Sequence, residues 1–238
     1  MRLDILITKK KLTKSRAVAV DLIKKGLVKA NGEVVTKPAK EYPLETDIEI
    51  TAQPKYVGRG GLKLEKALTE FQVDPTGLTV LDIGSSTGGF TDCLLQAGAK
   101  KVYAVDVGTD QLDSKLKTDP RVISMERTDI RKINKLPEKA DLAVIDVSFI
   151  SLALVLQKVS DLLKEKSKII ALVKPQFESA NIDKNKSGVV KNDQIREKVL
   201  EKIKNFCAQN HLAVVKTIDS PILGGSGNKE YLLFLQKN

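Results

Sequence analysis

The pattern of hydrophobic and polar positions changes near residue 60. Before that point, Val18, Leu22 and Ile23 recur at helical spacing after Ser15, a residue type that caps helices. Asn31-Gly32 separates two short β-prone runs, which predicts a hairpin with a type I′ turn. Beyond it, short apolar runs alternate with helical segments. That alternation is typical of a mostly parallel sheet covered by helices on both faces.

The second part of the chain is predicted to contain seven strands and several helices, the clearest helix being Asp193–Gln209. The strands are expected at Thr79–Ile83, Lys101–Val105, Val122–Met125, Leu142–Asp146, Ile169–Val173, Ala213–Ile218 and Tyr231–Leu235. We therefore predict an α/β fold. A Rossmann-like domain with a seven-stranded, mostly parallel sheet occupies 62–238, a small α+β domain occupies 1–53, and 54–61 is a glycine-rich linker.

Charge is distributed unevenly along the chain. The formal net charge is +10, and the first 60 residues carry 13 Lys and Arg against 7 Asp and Glu. Such an excess favours a polyanionic partner, such as RNA, and predicts a dedicated binding element in the first part of the chain. Aromatic residues are only 4% and Trp is absent, which favours recognition of folded RNA by shape over base stacking. The candidate RNA-binding residues are Arg2, Lys9, Lys10, Lys11, Lys14, Arg16, Lys24, Lys25 and Arg59.

Several functional classes are disfavoured by the same composition. The single histidine, His211, and two cysteines without CxxC spacing, Cys93 and Cys207, argue against a His/Cys metal site. The start of the chain lacks a signal-peptide core, and the longest apolar run, Leu142–Leu156, is interrupted by Asp146. We expect a cytoplasmic protein without membrane association, and infer no protein partner.

A glycine-rich turn follows the first strand of the second part and opens a helix. Its spacing matches neither GxGxxG nor the phosphate-binding P-loop. Asp82, Asp106 and Asp129 lie at the ends of three successive strands, and acidic groups without a phosphate cradle suit a cationic nucleoside such as S-adenosylmethionine. The candidate cofactor-binding residues are Asp82, Gly84, Ser85, Ser86, Thr87, Gly88, Gly89, Phe90, Asp106, Val107, Asp129, Ile130 and Asp146.

Six segments together resemble the TlyA family, a branch of the FtsJ-like (RrmJ-like) ribose methyltransferases. These segments are Tyr56–Leu64, Asp82–Asp92, Val144–Ile150, Val173–Glu178, Gly188–Val190 and Gly227–Tyr231. The resemblance covers nearly the whole chain, and the N-terminal module resembles the S4-type RNA-binding domain. It implies 2′-O-methylation of cytidines in ribosomal RNA, with S-adenosylmethionine as methyl donor and ribosomal RNA or ribosomal subunits as partner. The family also carries an older haemolysin label.

The family's Lys-Asp-Lys-Glu tetrad corresponds to Lys63, Asp146, Lys174 and Glu230. Our hypothesis is that Lys174 contacts the ribose 2′-hydroxyl, as a base or by directing an oxygen lone pair. Lysine acts as a base only where desolvation or a like charge lowers its pKa. Lys63 would act in that direction, whereas Asp146 and Glu230 would oppose it. Asp129, expected to face the adenine, stands where family members often have asparagine.

Three alternative functions stay open at this point. A base methyltransferase attacking cytosine carbon needs a cysteine near the fourth strand, and Asp146–Phe149 contains none. A membrane-lytic protein needs a long apolar span or a basic amphipathic helix with a bulky apolar face. The helix Asp193–Gln209 is amphipathic, but its apolar side suits packing on a sheet. An RNA chaperone with an inactive site is the third, and the intact tetrad argues against it.

Overall fold

The structure is a computed structural model that describes residues 1–13, 15–52, 54–178, 185 and 188–237. The chain divides into two compact units, Met1–Lys55 and Tyr56–Asn238. The division lies close to the predicted boundary at residue 53, while the linker 54–61 stays a prediction. Helix α3 begins at Gly60, within that segment.

The first unit packs two helices on a small antiparallel sheet of order β2-β1-β3. Its elements are α1 Leu3–Lys9, α2 Arg16–Lys24, β1 Val28–Ala30, β2 Glu33–Val34 and β3 Ile48–Ile50. Ser15 caps α2, since its Oγ accepts a hydrogen bond from the Val18 amide at 3.3 Å. Asn31 and Gly32 both have positive φ angles, +50° and +81°, as the predicted type I′ turn requires.

The second unit is a seven-stranded sheet of order β6-β5-β4-β7-β8-β10-β9, with helices on both faces. Its strands are β4 Thr79–Ile83, β5 Lys101–Val105, β6 Val122–Met125, β7 Ala140–Ile145, β8 Leu163–Val173, β9 Leu212–Asp219 and β10 Tyr231–Lys237. Its helices are α3 Gly60–Phe71, α4 Gly89–Gln96, α5 Ser114–Lys117, α6 Ala153–Asp161 and α7 Asp193–Gln209. The first five strands are parallel and β10 runs antiparallel between β8 and β9, which confirms the predicted fold class.

Four strands differ in extent from the prediction. β9 and β10 are each two residues longer, and β7 begins two residues earlier, at Ala140. β7 ends at Ile145, so Asp146 lies just past it, although the Asp146 amide still donates to the Ile83 carbonyl at 2.9 Å. β8 begins at Leu163, six residues before the predicted start at Ile169. Its first half carries exposed lysines, so hydrophobicity marked only the half that is buried in the sheet.

The apolar side of α7 belongs to the core of the second unit. Val199, Ile203 and Cys207 are buried and join the same cluster as the β7 and β8 side chains. This packing agrees with the predicted role of the helix as a cover for the sheet. Among the described residues, no helix has both the length and the hydrophobicity required to cross a bilayer.

Asp82 is a buried carboxyl group inside β4. Its Oδ2 accepts a hydrogen bond from the Thr91 hydroxyl at 2.6 Å, and Oδ1 has no hydrogen-bond partner among the described residues. Burial raises the pKa of Asp82 to about 7, and the charges of Asp146 and Asp106 act in the same direction, against the Thr91 hydrogen bond. The folded chain therefore binds this proton more tightly than the unfolded chain does. The stability that protonation provides is lost as the pH rises through about 7.

We predict that Asp82→Asn raises the melting temperature of the ligand-free protein at pH 8, where the wild type carries a buried charge. The difference should shrink as the pH falls toward 4, because protonated Asp82 and Asn are both neutral. Differential scanning measurements from pH 4 to pH 8 test this. A gap between the two proteins that is constant across that range would contradict it.

Candidate active site

A pocket of about 590 Å³ opens where β4, β5 and β7 end. It is lined by Ile83, Gly84, Ser86, Val105, Asp106, Val107, Gln111, Thr128, Asp129, Ile130, Arg131, Asp146, Val147, Ser148, Phe149, Ile150 and Val155. Its volume is within the range of small-molecule sites, and the carboxyl edge of a parallel sheet is where such sites lie. Seven of the predicted cofactor-binding residues line it: Gly84, Ser86, Asp106, Val107, Asp129, Ile130 and Asp146.

Gly84 shows why the chain needs a glycine at the end of β4. Its φ is +81°, and a Cβ there would lie 2.6 Å from the carbonyl oxygen of Asp146. The backbone after β4 can therefore lie directly against the backbone after β7. The other predicted residues of this turn do not line the pocket, and their cofactor contacts stay predictions: Asp82, Ser85, Thr87, Gly88, Gly89 and Phe90.

The two acidic groups at the outer side of the pocket have different environments. Asp106 accepts hydrogen bonds from the amides of Ser86 and Gly108, both at 2.7 Å. These contacts orient the carboxylate while it stays half-buried at the pocket wall. Asp129 instead forms an ion pair with Arg131 at 2.6 Å, which lowers the pKa of Asp129 and engages both of its oxygens.

Lys174 lies just past β8 and is held by two residues that follow β7. Its Nζ is 2.6 Å from Oδ1 of Asp146, an ion pair whose angles are not those of a regular hydrogen bond. It also donates a hydrogen bond to the Ser148 hydroxyl at 2.8 Å. Lys174 is buried and does not itself line the pocket, but its two partners Asp146 and Ser148 do, so the ammonium group lies at the edge of the pocket behind them.

Lys63 and Glu230 form a second, deeper ion pair. Lys63 projects from α3, and its Nζ donates to Oε2 of Glu230 at 2.6 Å. Both side chains are almost completely buried. Gly224 packs against the same carboxylate, because a Cβ at that position would lie 2.3 Å from Oε1 of Glu230. A fixed charge pair of this kind holds its two elements in one arrangement.

Two features place the ion pairs next to each other. Tyr231 of β10 pairs with Val173 of β8 in antiparallel register. Glu230, which comes just before Tyr231, therefore lies opposite Lys174, which comes just after Val173. Gly60 begins α3 beside Asp146, since a Cβ on Gly60 would lie 3.8 Å from Oδ2 of Asp146. Lys63 is three residues further, on the same face of α3. The structure thus brings the four predicted tetrad residues to one place.

Sequence reasoning missed one exposed aromatic residue at this site. Phe149 lines the pocket, is 90% exposed, and adopts a φ of +65°, which is unusual for a bulky residue. Its ring packs on the ring of Phe177 with centroids 4.9 Å apart. The low aromatic content of the chain led us to disfavour base stacking, so Phe149 was not selected, although it lies in one of the segments that carry the family resemblance.

A second missed residue, Glu178, joins the loops that follow β7 and β8. Its carboxylate is 4% exposed and accepts hydrogen bonds from the Ser151 hydroxyl at 2.6 Å and the Leu152 amide at 3.0 Å. Burial raises the pKa of Glu178, while these hydrogen bonds oppose the shift. The signal available in the sequence was an acidic residue four positions after Lys174, at the end of the segment Val173–Glu178 that carries part of the family resemblance.

The predicted RNA-binding residues have several kinds of environment. Arg2 and Arg16 pair with Asp4, Lys10 donates to the Thr46 carbonyl, and Lys25 pairs with Asp21. The remaining members that the structure describes are exposed side chains: Lys9, Lys11, Lys24 and Arg59. Lys14 lies outside the described residues. RNA contacts by these side chains stay predictions.

Comparison with known proteins matches both units. Residues 56–237 match the model of the FtsJ-like methyltransferases, and residues 1–48 match that of the S4 domain. The chain is 43% identical to Hemolysin A of Brachyspira hyodysenteriae, over 98% of each chain. It is 38% identical to the 16S/23S rRNA (cytidine-2′-O)-methyltransferase TlyA of Mycobacterium tuberculosis (strain ATCC 25618 / H37Rv), over 99% of this chain and 89% of that protein.

A solved structure from Streptococcus thermophilus, described as a hemolysin, is 43% identical and superposes with a TM-score of 0.80. The match covers 100% of this chain and 88% of the other. The family models account for both units in order, and the pocket has the acidic lining expected for a sulfonium nucleoside. The chain therefore belongs to the FtsJ-like methyltransferase family, with an S4 domain at its N-terminus and S-adenosylmethionine as its methyl donor.

Proposed function

We propose that this protein methylates a ribose 2′-hydroxyl in ribosomal RNA, with cytidine as the target nucleotide. The observation that carries the proposal is the Lys174–Asp146 pair at the rim of the cofactor pocket, next to the Lys63–Glu230 pair. The names of relatives such as the M. tuberculosis TlyA protein support the same reaction. The S4 domain supports RNA as the substrate.

The pocket residues fit S-adenosylmethionine by charge and shape. The carboxylates of Asp106 and Asp146 suit a ligand with positive charge, and the cavity of about 590 Å³ is within the range of small-molecule sites. Asp106, oriented by two backbone amides, is placed to accept hydrogen bonds from a ribose diol. The bound cofactor supplies an already activated methyl group.

The remaining work of the protein is orientation and removal of one proton. Lys174 contacts the 2′-oxygen and directs a lone pair toward the methyl carbon, and Asp146 holds the ammonium group in place. The 2′-oxygen forms its bond to the methyl carbon as the bond from that carbon to the donor sulfur breaks, and the hydroxyl proton passes to the Asp146 carboxylate, because the Lys174 ammonium has no lone pair to accept it. Lys63 and Glu230 keep α3 and the start of β10 in the geometry that this contact needs. Orientation of this kind is worth roughly 7–11 kcal/mol in favourable cases.

Phe149 supports a nucleotide substrate at the same opening. An aromatic ring that is almost fully exposed beside Ser148 offers a face on which one base can stack. The strained backbone at Phe149 and the contact with Phe177 hold the ring outward. The composition argued against an extended stacking platform, and a single ring at the site is compatible with that argument.

We predict that Lys174→Ala reduces turnover by about 10²–10⁴-fold, because the hydroxyl loses its orienting group and the Asp146 carboxylate that accepts the proton loses its ion-pair partner. Cofactor affinity, measured by calorimetric titration with S-adenosylmethionine, should stay near the wild-type value. Lys168→Ala is the matched control, because it removes a lysine of β8, the strand that precedes Lys174, and the Lys168 ammonium group lies over the Phe234 ring. Normal turnover in the Lys174 variant would rule out the mechanism.

The product decides between ribose and base methylation. Ribosomal RNA treated with the enzyme and radiolabelled S-adenosylmethionine should release, on nuclease digestion, a 2′-O-methyl nucleoside. Release of a methylated base would overturn the proposal in favour of a base methyltransferase. Lysis of red cells by the purified protein, equal for wild type and Lys174→Ala, would instead favour a membrane-lytic activity.

We predict that Phe149→Ala raises the KM for RNA about tenfold, since stacking on one base is worth about 1–3 kcal/mol. The melting temperature should change little because the ring is exposed. Leu154→Ala, which truncates another exposed apolar residue in the adjacent helix α6, is the control. Equal effects of the two substitutions on KM would argue against a base contact.

A further inference from the structure

The first unit contains a buried carboxylate that binds two arginines. Asp4 is completely shielded from solvent. Its Oδ1 accepts hydrogen bonds from the Arg2 Nε and the Ile5 amide, each at 3.1 Å. Its Oδ2 accepts from the Arg2 Nη2 at 3.1 Å and from the Arg16 Nε at 2.8 Å. The hydrogen bonds from Arg2 and Arg16 lower the pKa of Asp4 to about 2, so it carries a negative charge at neutral pH.

The charges of this cluster do not balance. Two guanidinium groups share one buried carboxylate, which leaves one positive charge at a fixed position. Glu41 also acts on the charge of Arg2, but its side chain is exposed to solvent, which screens its effect. In the part of the chain that the structure describes, neither guanidinium has a hydrogen-bond partner other than Asp4.

Both arginines keep an outer side available to a ligand. The Arg2 and Arg16 side chains are 42% and 55% exposed, although each is anchored from inside by Asp4. The Nη1 of Arg2 and both Nη atoms of Arg16 can therefore donate outward. A guanidinium with its Nε already fixed presents these donors as a planar fork, the geometry that phosphate oxygens accept.

The neighbouring lysines lack this arrangement. Lys9, Lys11 and Lys24 are exposed, and none is anchored by a buried group among the described residues. A flexible lysine must lose side-chain freedom when it meets a phosphate, whereas folding has already ordered the two arginines. The same net charge therefore binds more strongly in the cluster than on the free helix surface.

We propose that Asp4 is a positioning residue that turns Arg2 and Arg16 into one binding site for a phosphate of the RNA backbone. The proposal rests on RNA as the partner, as in the proposed function, and assigns a specific site within the S4 domain. Phosphate is the ligand class because it supplies the missing negative charge and several acceptor oxygens. Asp4 itself contacts no RNA.

The first test separates fork geometry from charge. Arg16→Lys keeps the positive charge and loses the fixed fork, at an exposed position where folding is not at risk. With the full chain and a fluorescently labelled hairpin of ribosomal RNA, anisotropy should show binding about tenfold weaker than wild type. Lys24→Gln is the matched control, since it removes a whole charge from the same helix, α2, outside the cluster. Wild-type affinity in the Arg16 variant, or a larger loss in the control, would overturn the proposal.

The second test uses Asp4→Asn, for which two explanations predict opposite changes in RNA affinity. Asp4→Asn makes the protein more positive by one charge, so attraction by net charge alone would tighten RNA binding. The positioning role instead predicts weaker binding, with the slope of log affinity against log salt reduced by about one. The melting temperature of the variant reports whether the unit stays folded, and Arg16→Lys decides the question if it does not. Tighter binding by folded Asp4→Asn would refute the role.

The proposed reaction and the proposed phosphate site fail in different measurements. For Arg16→Lys, the KM for RNA should rise while kcat at saturating RNA and the affinity for S-adenosylmethionine stay unchanged. A wild-type enzyme that forms no 2′-O-methyl product refutes the reaction but leaves the binding comparison intact. A loss of kcat in the Arg16 variant at saturating RNA would show that the cluster is not a simple phosphate site.

Discussion

The ion pair between Lys174 and Asp146 is the contact on which the arrangement of this enzyme depends. Its 2.6 Å separation requires that the chain after β7 and the chain after β8 emerge side by side. Parallel strands in one sheet meet that requirement, because their carboxyl ends share an edge. Removing one partner of such a sheltered pair leaves the other charge without compensation, so both residues and both strand ends are constrained together.

The antiparallel strand β10 brings a further charged residue to the same edge of the sheet. It lies between β8 and β9, and its register with β8 carries Glu230 to the position opposite Lys174. Glu230 accepts a hydrogen bond from Lys63 of α3, a residue 167 positions earlier in the sequence. The four charged groups therefore come from the ends of β7 and β8, the start of β10 and the start of α3. The two cations and two anions offset each other, which lowers the cost of gathering them at a partly buried site.

Positive φ angles and a buried acid also occur at the edge of the sheet that carries the ion pairs. Gly84 and Phe149 both adopt positive φ angles at the pocket, and Glu178 uses a buried carboxylate to join the two loops that carry Asp146 and Lys174. In the first unit, Asp4 has a comparable role toward Arg2 and Arg16. In each case a shielded acid holds two partners in a fixed arrangement. Rigid supports of this type reduce the entropy lost when a substrate is bound.

The sequence by itself determined the order of elements and the α/β fold class, and its family resemblance predicted the four tetrad residues that the structure brings together. Strands such as Thr79–Ile83 and the helix Asp193–Gln209 were predicted with their exact limits, since hydrophobic periodicity reports directly which local positions are buried. Tertiary structure decided how Lys63 pairs with Glu230, where β8 begins, and which partners Phe149, Glu178 and Asp4 contact. These features depend on strand order, register and contacts between distant segments, and a local pattern of polarity contains no information about which distant charge a residue will meet.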